Sequence, residues 1–235
     1  MNKSVLITGT AKGLGLALCK RFKEKGYTVY AVDLNLSEEL KDLSDENFKV
    51  ACCDISDFNA VSEAIKGFEI KALDIVVNNA GIWLDKNRTE LLDDNFTFDT
   101  IIPQFKVNAL GILHIAKATL PLLQVTSGVM INLSSEAGSI SECSWRTGEY
   151  GYCMSKAAQN MATKIMSNAY GKSGVKFYAL HPGWMVTDQG LAGASGDNRP
   201  KQNPYDTADK IIELAENPKL VGMFYDITTG EEMKW

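Results

Sequence analysis

Histidine, paired cysteine and clustered positive charge are all scarce in this chain of 235 residues. Two histidines, His114 and His181, are too few for a histidine-based metal site, so we predict structural roles for both and no bound metal. The five cysteines form no paired framework and no metal-ligand spacing, which predicts free thiols and a cytoplasmic protein. The net charge of −5, without any Lys/Arg run, argues against nucleic-acid binding.

Long apolar runs are also missing from the sequence. No run approaches the roughly 18 residues of a membrane helix, and the three apolar residues before Thr8 are too few for a signal peptide. We therefore expect no membrane association. Because no internal repeat, low-complexity tract or break in composition marks a linker, residues 1–235 should form one domain.

Short runs rich in β-branched residues alternate with segments of helical composition. The runs are almost continuously apolar, as is typical of strands covered on both faces. This alternation predicts an α/β fold: a single Rossmann-type domain with a doubly wound parallel sheet of about seven strands, in the order 3-2-1-4-5-6-7, and helices on both faces. The predicted strands are residues 5–7, 28–32, 48–52, 74–77, 129–133, 175–180 and 222–226, and two of the predicted helices are residues 14–25 and 152–170.

Residues 190–204 differ from their surroundings. They are rich in glycine, asparagine and proline and have little to bury, which predicts a mobile loop. The loop is either a tolerated surface insertion or a substrate lid. We favour the lid, because of where the loop falls relative to the motifs described next.

The first predicted strand runs directly into T-G-T-A-K-G-L-G, residues 8–15. Glycines 9, 13 and 15 precede a predicted helix, whose free N–H groups and dipole favour an anion. Glycine lets the backbone come close to a pyrophosphate, where a Cβ would intrude. An ordinary tight turn is the alternative, but the position between strand and helix favours dinucleotide binding.

Acidic residues end the second and third predicted strands. Asp33 lies 18 residues after Gly15, and a carboxylate there can accept both hydroxyls of an adenosine ribose. The alternative is an aspartate that only forms a turn. Asp54 is placed to reach an adenine amino group, whereas Asp57 is better explained as a residue that opens a helix.

The fourth predicted strand ends in V-V-N-N-A-G. Asn78 and Asn79 supply amide donors and acceptors at the carboxyl end of a strand, where open α/β sheets bind ligands. Ala80 and Gly81 keep the backbone approachable. The alternative is a polar turn.

Residues 150–156 read Y-G-Y-C-M-S-K. In a helix, Tyr152 and Lys156 lie one turn apart on one face, whereas Tyr150 is rotated away from Lys156. A nearby ammonium favours the phenolate and lowers the tyrosine pKa from its ordinary value of about 10, which suits a general acid or base. A chance pair is the alternative, but Ser134 and Ser135 end the preceding strand, where a serine hydroxyl can bind the same substrate oxygen.

These motifs together resemble the short-chain dehydrogenase/reductase family. T-G-x-x-x-G-x-G, N-N-A-G, a serine after the fifth strand, Y-x-x-x-K and a later P-G follow the family's order over residues 8 to about 188. The stretch L-H-P-G-W-M-V-T-D and the ending F-Y-D-I-T-T-G-E-E-M-K-W look like the branch that includes the bacterial C-factor.

The resemblance implies a role for each matching position. Tyr152 is the general acid/base and Lys156 holds the nicotinamide ribose. Ser135 orients the substrate oxygen, and Asn108 holds a proton-relay water. The positions implied to bind the cofactor are Gly9, Lys12, Gly13, Leu14, Gly15, Asp33, Asp54, Ile55, Asn79, Ala80, Gly81, Tyr152, Lys156, Pro182, Gly183 and Thr187.

One interval departs from the family pattern. Ser135 and Tyr152 are 17 positions apart, more than in many members, and the extra residues lie in E-C-S-W-R-T-G-E. This enlarged loop leaves open whether Ser134 or Ser135 is the functional serine. Ser135 is preferred because it is closer to the following glycine.

The resemblance implies an oxidoreductase that interconverts a secondary alcohol and a ketone, or an aldehyde, by hydride transfer. The alternative is a dinucleotide-binding regulatory protein with little turnover, but the complete Asn-Ser-Tyr-Lys set favours an enzyme. Its substrate is a small alcohol or carbonyl compound. If two of Trp83, Trp145 and Trp184 line the pocket, that substrate has a sizeable apolar face.

Cofactor choice and assembly are also expectations. The Asp33 carboxylate favours NAD by repelling a 2′-phosphate, and Leu34 follows it where a second cation would be needed. Lys12 favours the alternative, NADP. Many family members pair through helices that match residues 101–125 and 152–170 here, which implies a homodimer or homotetramer.

Overall fold

The protein is described here by a computed structural model covering residues 2–194, 196–218 and 222–235. Its strands are β1 (Ser4–Thr8), β2 (Thr28–Asp33), β3 (Phe48–Cys52), β4 (Ile75–Asn78), β5 (Val129–Leu133), β6 (Lys176–His181), β7 (Met223–Asp226) and β8 (Glu231–Glu232). They form one sheet in the order β3-β2-β1-β4-β5-β6-β7-β8. The first seven strands are parallel and β8 is antiparallel to β7, so the predicted fold is confirmed and one short strand is added.

Helices connect the parallel strands. They are α1 (Gly13–Glu24), α2 (Glu38–Asp42), α3 (Phe58–Gly67), α4 (Ile101–Gln104), α5 (Gly111–Thr126), α6 (Tyr150–Tyr170), α7 (Asp188–Ala192) and α8 (Pro204–Glu216), with a π-helical turn, Phe105–Leu110, joining α4 to α5. Helix α6 begins two residues before the predicted start. Asp85 Oδ2 accepts the first-turn N–H groups of Gly151 and Tyr152 at 2.8 and 3.2 Å, donors that a helix end otherwise leaves unpaired.

The sheet has a hydrophobic core on each face. Because side chains alternate along a strand, Val5 and Ile7 of β1 pack on one side with α1 and α8, while Leu6 packs on the other with α3 and α5. Burial on both faces explains why the strands read as continuous apolar runs.

The segment from α4 to α5 has one property that the sequence reading missed. Ile101–Thr126, with a mean hydropathy of 1.3, is long and apolar enough to cross a membrane. Lys106 and Lys117 interrupt the run, which is why no continuous apolar stretch marked it. In the fold, 44% of its most apolar window is buried, and Ile112 and Ile115 belong to the core.

The segment 190–204 is partly ordered by local contacts. The expectation of a loop throughout is wrong for residues 190–192, which complete α7 because the Thr187 side chain caps that helix by accepting the Gly190 N–H at 3.2 Å. Gln202 forms a bridge with Met185. Ser195 lies outside the described residues.

Candidate active site

A cavity of ≈ 1020 Å³ lies at the carboxyl ends of the parallel strands. Strand order reverses between β1 and β4, and ligands of open α/β sheets bind at such a switch point. Segments after β1, β2, β3, β4, β5 and β6 line the cavity, so it runs from the glycine turn and Asp33 to Tyr152 and Trp145.

The glycine turn after β1 has no room for side chains. Gly9 has φ +71°, and a Cβ there would lie 2.7 Å from Ala80 Cα. A Cβ on Gly15 would lie 1.9 Å from Gly9 O. Asn79 fixes the turn from β4, since its amide donates to the carbonyls of Thr8 and Gly9 at 3.0 and 2.7 Å. The turn therefore presents bare backbone to the cavity, which fits a dinucleotide pyrophosphate.

Asp33 ends β2 beside this turn. Its Oδ2 accepts the Ala11 N–H at 2.8 Å and its Oδ1 accepts the Asn35 N–H at 3.0 Å. Lys12 is directed elsewhere: its ammonium pairs with Asp188 of α7 at 2.7 Å, with both side chains 75% exposed. Asp33 and Lys12, the two residues expected to influence the choice between NAD and NADP, therefore contact different parts of the protein.

Asp54 and Ile55 line the cavity after β3, and Leu14, Ala80 and Gly81 line it after β1 and β4. Asp54 Oδ1 accepts the Ser56 N–H at 2.8 Å, and Asp57 caps α3, as predicted, by accepting the Asn59 N–H at 2.8 Å. His114 contacts the Ile55 carbonyl at 2.9 Å.

The side chains of two asparagines hydrogen-bond to other residues of the protein. Asn78 is a buried β4 residue whose amide donates to Asn132 at 2.7 Å, so the expectation that it faces a ligand is wrong. Asn108 lies in the π-helical turn and is also buried. Its Oδ1 accepts the Ile82 N–H at 2.8 Å, while its amide donates to the Ile82 carbonyl at 2.9 Å and to Ser155 at 3.0 Å. Asn108 thereby fixes the chain that follows Gly81.

The two serines after β5 point to different places. Ser134 donates to Asn160 Oδ1 at 2.6 Å. Ser135 donates to Glu136 Oε2 at 2.7 Å and hydrogen-bonds with the Tyr152 side chain. Of the pair that the sequence left open, Ser135 is the one in contact with Tyr152.

Tyr152 and Lys156 lie on the cavity side of α6, 9% and 5% exposed. Burial raises the pKa of the Tyr152 phenol above its usual value; Glu136 adds to this, and Ser135 and Arg146 oppose it. The expectation of a lowered tyrosine pKa is therefore wrong here, because burial outweighs the neighbouring charges. Burial lowers the pKa of the Lys156 ammonium to about 7, although this group donates to Leu133 O at 2.8 Å and Gln159 Oε1 at 2.9 Å.

The enlarged loop before α6 brings charged groups to the cavity. The Arg146 side chain is 6% exposed and donates to Glu136 Oε1 at 2.5 Å and to Glu149. Arg88 lies 3.5 Å from Glu149. Glu149, in the left-handed region at φ 63°, precedes α6, and burial raises the pKa of its carboxyl. We call Glu136, Arg146, Glu149 and Arg88 the loop cluster.

Three tryptophans line the cavity, one more than the prediction required. The Trp83 ring lies 5.4 Å from the Tyr152 ring. The Arg146 guanidinium carbon lies over the Trp145 ring, 4.3 Å from the ring centroid. The indole N–H of Trp184 donates to Gly190 O at 3.0 Å.

The segment after β6 closes the cavity near the glycine turn. Pro182, Gly183 and Thr187 line it. Gly183 has φ +80°, and a Cβ there would lie 1.9 Å from Gln202 Oε1. A Cβ on Gly13, which has φ +58°, would lie 3.3 Å from Thr187 Cγ2. Fifteen of the sixteen predicted cofactor positions therefore line one cavity, and the sixteenth, Gly15, packs against Gly9 in the glycine turn.

Comparison with known proteins agrees with this geometry. The sequence matches the family described as short chain dehydrogenase over residues 3–194. The chain belongs to the short-chain dehydrogenase family. As a family member it is an oxidoreductase, and the family predicted from the sequence is confirmed; the likeness to the C-factor branch stays a prediction.

Proteins similar to this short-chain dehydrogenase cover 94–100% of its length. An uncharacterized oxidoreductase of Staphylococcus aureus (strain USA300) is 31% identical over 229 residues, 94% of each chain. An NADPH-bound carbonyl reductase from chicken fatty liver has a TM-score of 0.87 at 27% identity, covering 100% of this chain and 99% of that one. Carbonyl reductase Sniffer of D. melanogaster has a TM-score of 0.86 at 26% identity, covering 100% of both.

Sequence reasoning missed two residues of the dehydrogenase site. Glu136 and Arg146 meet at the cavity, although ten positions of irregular chain separate them. The only sequence signal was the unusual length of this loop. His181, expected to be structural, lines the cavity as well and lies 3.5 Å from Glu136.

Proposed function

We propose that this short-chain dehydrogenase is an NAD(P)-dependent carbonyl reductase that also catalyses the reverse oxidation of a secondary alcohol. One observation carries the proposal: Tyr152, buried and held as a neutral phenol, contacts Ser135 in the cavity that the bare glycine turn opens into. A bound nicotinamide cofactor would supply or accept the hydride.

Tyr152 is proposed to donate its proton to the carbonyl oxygen as negative charge develops there. A raised phenol pKa keeps that proton in place at neutral pH, which suits reduction. In the reverse direction the phenolate takes the alcohol proton. Ser135 orients the same oxygen, and the buried cavity strengthens both contacts by excluding water.

Lys156 is proposed to hold the nicotinamide ribose. Its ammonium would lie 3.5 Å from a Cβ on Gly81, so it reaches the N-N-A-G segment that faces the cavity. Pro182, Gly183 and Thr187 support the nicotinamide end from the other side. The proton-relay water at Asn108 stays part of the proposal; the Asn108 side chain itself holds Ile82.

We propose NAD as the preferred cofactor, with NADP as the alternative. The support is Asp33, whose carboxylate would bind ribose hydroxyls and repel a 2′-phosphate, together with the pairing of Lys12 to Asp188. The chicken carbonyl reductase of similar structure is NADPH-bound, which favours the alternative.

The substrate is proposed to be a carbonyl compound with a sizeable apolar face. The support is the position of Trp83, Trp145 and Trp184 on the cavity wall. Residues 190–204 are proposed to act as a lid over this end of the cavity.

The protein is proposed to form a homodimer or homotetramer through α5 and α6. Exposed apolar side chains on and next to these helices support it: Leu110 at the end of the π-helical turn, Leu113 in the first turn of α5, and Met154, Met161 and Ile165 along α6. Burial of such a surface is the usual basis of a stable interface between copies.

A turnover assay tests the proposed activity. A panel of aromatic and aliphatic ketones, aldehydes and quinones is offered with NADH and with NADPH, and loss of the reduced-nicotinamide absorbance is followed. We expect turnover of at least one apolar carbonyl compound. Cofactor binding without turnover of any panel member would instead support a regulatory dinucleotide-binding protein.

A further inference from the structure

The hydroxyl group of Ser135 is fully used. A serine hydroxyl has one hydrogen to donate and two lone pairs that accept. The hydrogen goes to Glu136 Oε2 at 2.7 Å, and one lone pair accepts the Ala137 N–H at 3.2 Å. Ser135 also hydrogen-bonds with the Tyr152 side chain. That bond lowers the pKa of Tyr152, as a hydroxyl that donates to the phenol oxygen does, so Tyr152 and Glu136 compete for the one Ser135 hydrogen.

Glu136 is fixed from two further directions. Arg146 donates to its Oε1 at 2.5 Å, and Arg146 is itself anchored by Glu149. The backbone N–H of Glu136 donates to His181 Nδ1 at 3.2 Å. Burial favours the neutral carboxyl, but His181, Ser135 and Arg146 together outweigh burial and hold the pKa of Glu136 below its usual value. Glu136 is therefore a carboxylate at neutral pH.

We propose that Glu136 is a positioning residue that orients the Ser135–Tyr152 pair for proton donation to a carbonyl. By accepting the Ser135 hydrogen, Glu136 competes with the Tyr152 oxygen for that donor and helps to keep the phenol protonated until substrate arrives. The inference rests on the proposed function and deepens it: Glu136 keeps Tyr152 able to donate a proton to a carbonyl up to higher pH. Arg146 of the enlarged loop holds the carboxylate in this position.

Several charged or titratable groups face Tyr152 or its partner Glu136. They are Asp85 after β4, Glu136 and Arg146 after β5, Cys153 and Lys156 on α6, and His181 at the end of β6. Burial is the largest influence on the pKa of Tyr152, and Glu136 is the next, also raising it. Removing the Glu136 charge should therefore make the Tyr152 phenol more acidic.

The test is Glu136→Gln, which keeps the shape and an acceptor oxygen but removes the charge. We expect the pH at which kcat/KM for carbonyl reduction falls to half of its plateau to move down by about one pH unit, because loss of one close negative charge lowers the phenol pKa by about that amount. A merely structural residue would lower the rate at every pH and leave this midpoint in place.

The matched control is Glu142→Gln, in the same loop. Glu142 is exposed and accepts the Lys234 N–H at 3.3 Å, away from Ser135. Its pH profile should match that of the wild type. If Glu136→Gln fails to fold, Glu136→Asp keeps the charge for Arg146 but draws it back from Ser135, and a smaller shift of the same midpoint is expected.

A second readout needs no turnover. Tyrosines are replaced biosynthetically by the more acidic difluorotyrosine, and Tyr152→Phe identifies the Tyr152 fluorine signal. We expect that signal to titrate at lower pH in Glu136→Gln than in the wild type. An unchanged titration and an unchanged pH profile would overturn the role of Glu136. Absence of any turnover would count against the proposed function, while the titration would still decide the role of Glu136.

Discussion

Replacing Lys156 by methionine should stabilise the protein in a pH-dependent way. Lys156 is buried, and its pKa falls from 10.5 to about 7 on folding. A pKa difference of one pH unit between the folded and unfolded states corresponds to about 1.4 kcal/mol. Below pH 7 the ammonium is protonated in both states, and its burial lowers the free energy of unfolding by about 5 kcal/mol.

The sign of the pH dependence follows from proton binding. Between the folded pKa near 7 and the unfolded value of 10.5, the unfolded chain binds more protons than the folded one. The free energy of unfolding therefore rises with pH in this window, by about 3 kcal/mol between about pH 6 and about pH 9. The methionine variant lacks this contribution.

Methionine fits the site with a limited loss of hydrogen bonds. Leu133 O keeps the donation from Gln159 Nε2 at 3.0 Å, whereas Gln159 Oε1 loses its Lys156 partner. An unpaired buried acceptor costs about 1–3 kcal/mol, so we expect Lys156→Met to be about 2–4 kcal/mol more stable than the wild type at about pH 6.

Urea unfolding followed by circular dichroism, at both pH values, measures the effect. Lys164→Met is the control, since Lys164 is exposed on the same helix. It should keep the wild-type pH dependence, while Lys156→Met loses about 3 kcal/mol of it. Equal pH dependence in Lys156→Met and the wild type would refute the buried-cation reasoning.

Three further substitutions and one hydrogen-exchange measurement test the proposed catalysis, cofactor choice, assembly and lid. Tyr152→Phe should lower kcat about 10²- to 10⁴-fold with little change in cofactor affinity. Tyr150→Phe alters an exposed ring that packs on Phe96 and should leave kcat nearly unchanged. Equal losses of kcat in the two variants would contradict the assignment of Tyr152 as the proton donor. Asp33→Ala should raise kcat/KM with NADP(H) about tenfold relative to NAD(H), and a wild type preferring NADP(H) would contradict the NAD proposal. Met161→Asp should shift sedimentation toward the monomer, while Leu92→Asp, exposed outside both helices, should not. Hydrogen exchange in residues 190–204 should slow when cofactor and substrate bind together; unchanged exchange would argue against a lid.

The residues that sequence predicted well are those whose geometry is local. Gly9 and Gly15 follow from a strand, a turn and a helix in succession, and Tyr152 and Lys156 are neighbours because one helical turn separates them. The sheet order followed from alternating apolar runs and short connections.

The properties that were missed depend on distant packing. The direction of the Tyr152 pKa shift is set by how deeply α6 is buried, and spacing along the chain carries no measure of burial. Asn78 and Asn79 are adjacent and chemically identical, yet the strand turns one into the core and the other to the glycine turn. The contact of Arg146 with Glu136 depends on the path of an irregular loop, which has no sequence period.

The ion pair of Lys12 and Asp188 has a consequence for how quickly a dinucleotide enters. The pair joins Lys12, just before α1, to the first residue of α7 at 2.7 Å between Nζ and Oδ2, and both residues line the cavity. An exposed pair of this kind contributes only about 0–1 kcal/mol and weakens as salt is added. Added salt therefore weakens the contact between Lys12 and Asp188. The association rate should rise with moderate salt in the wild type, and Lys12→Met should remove that acceleration.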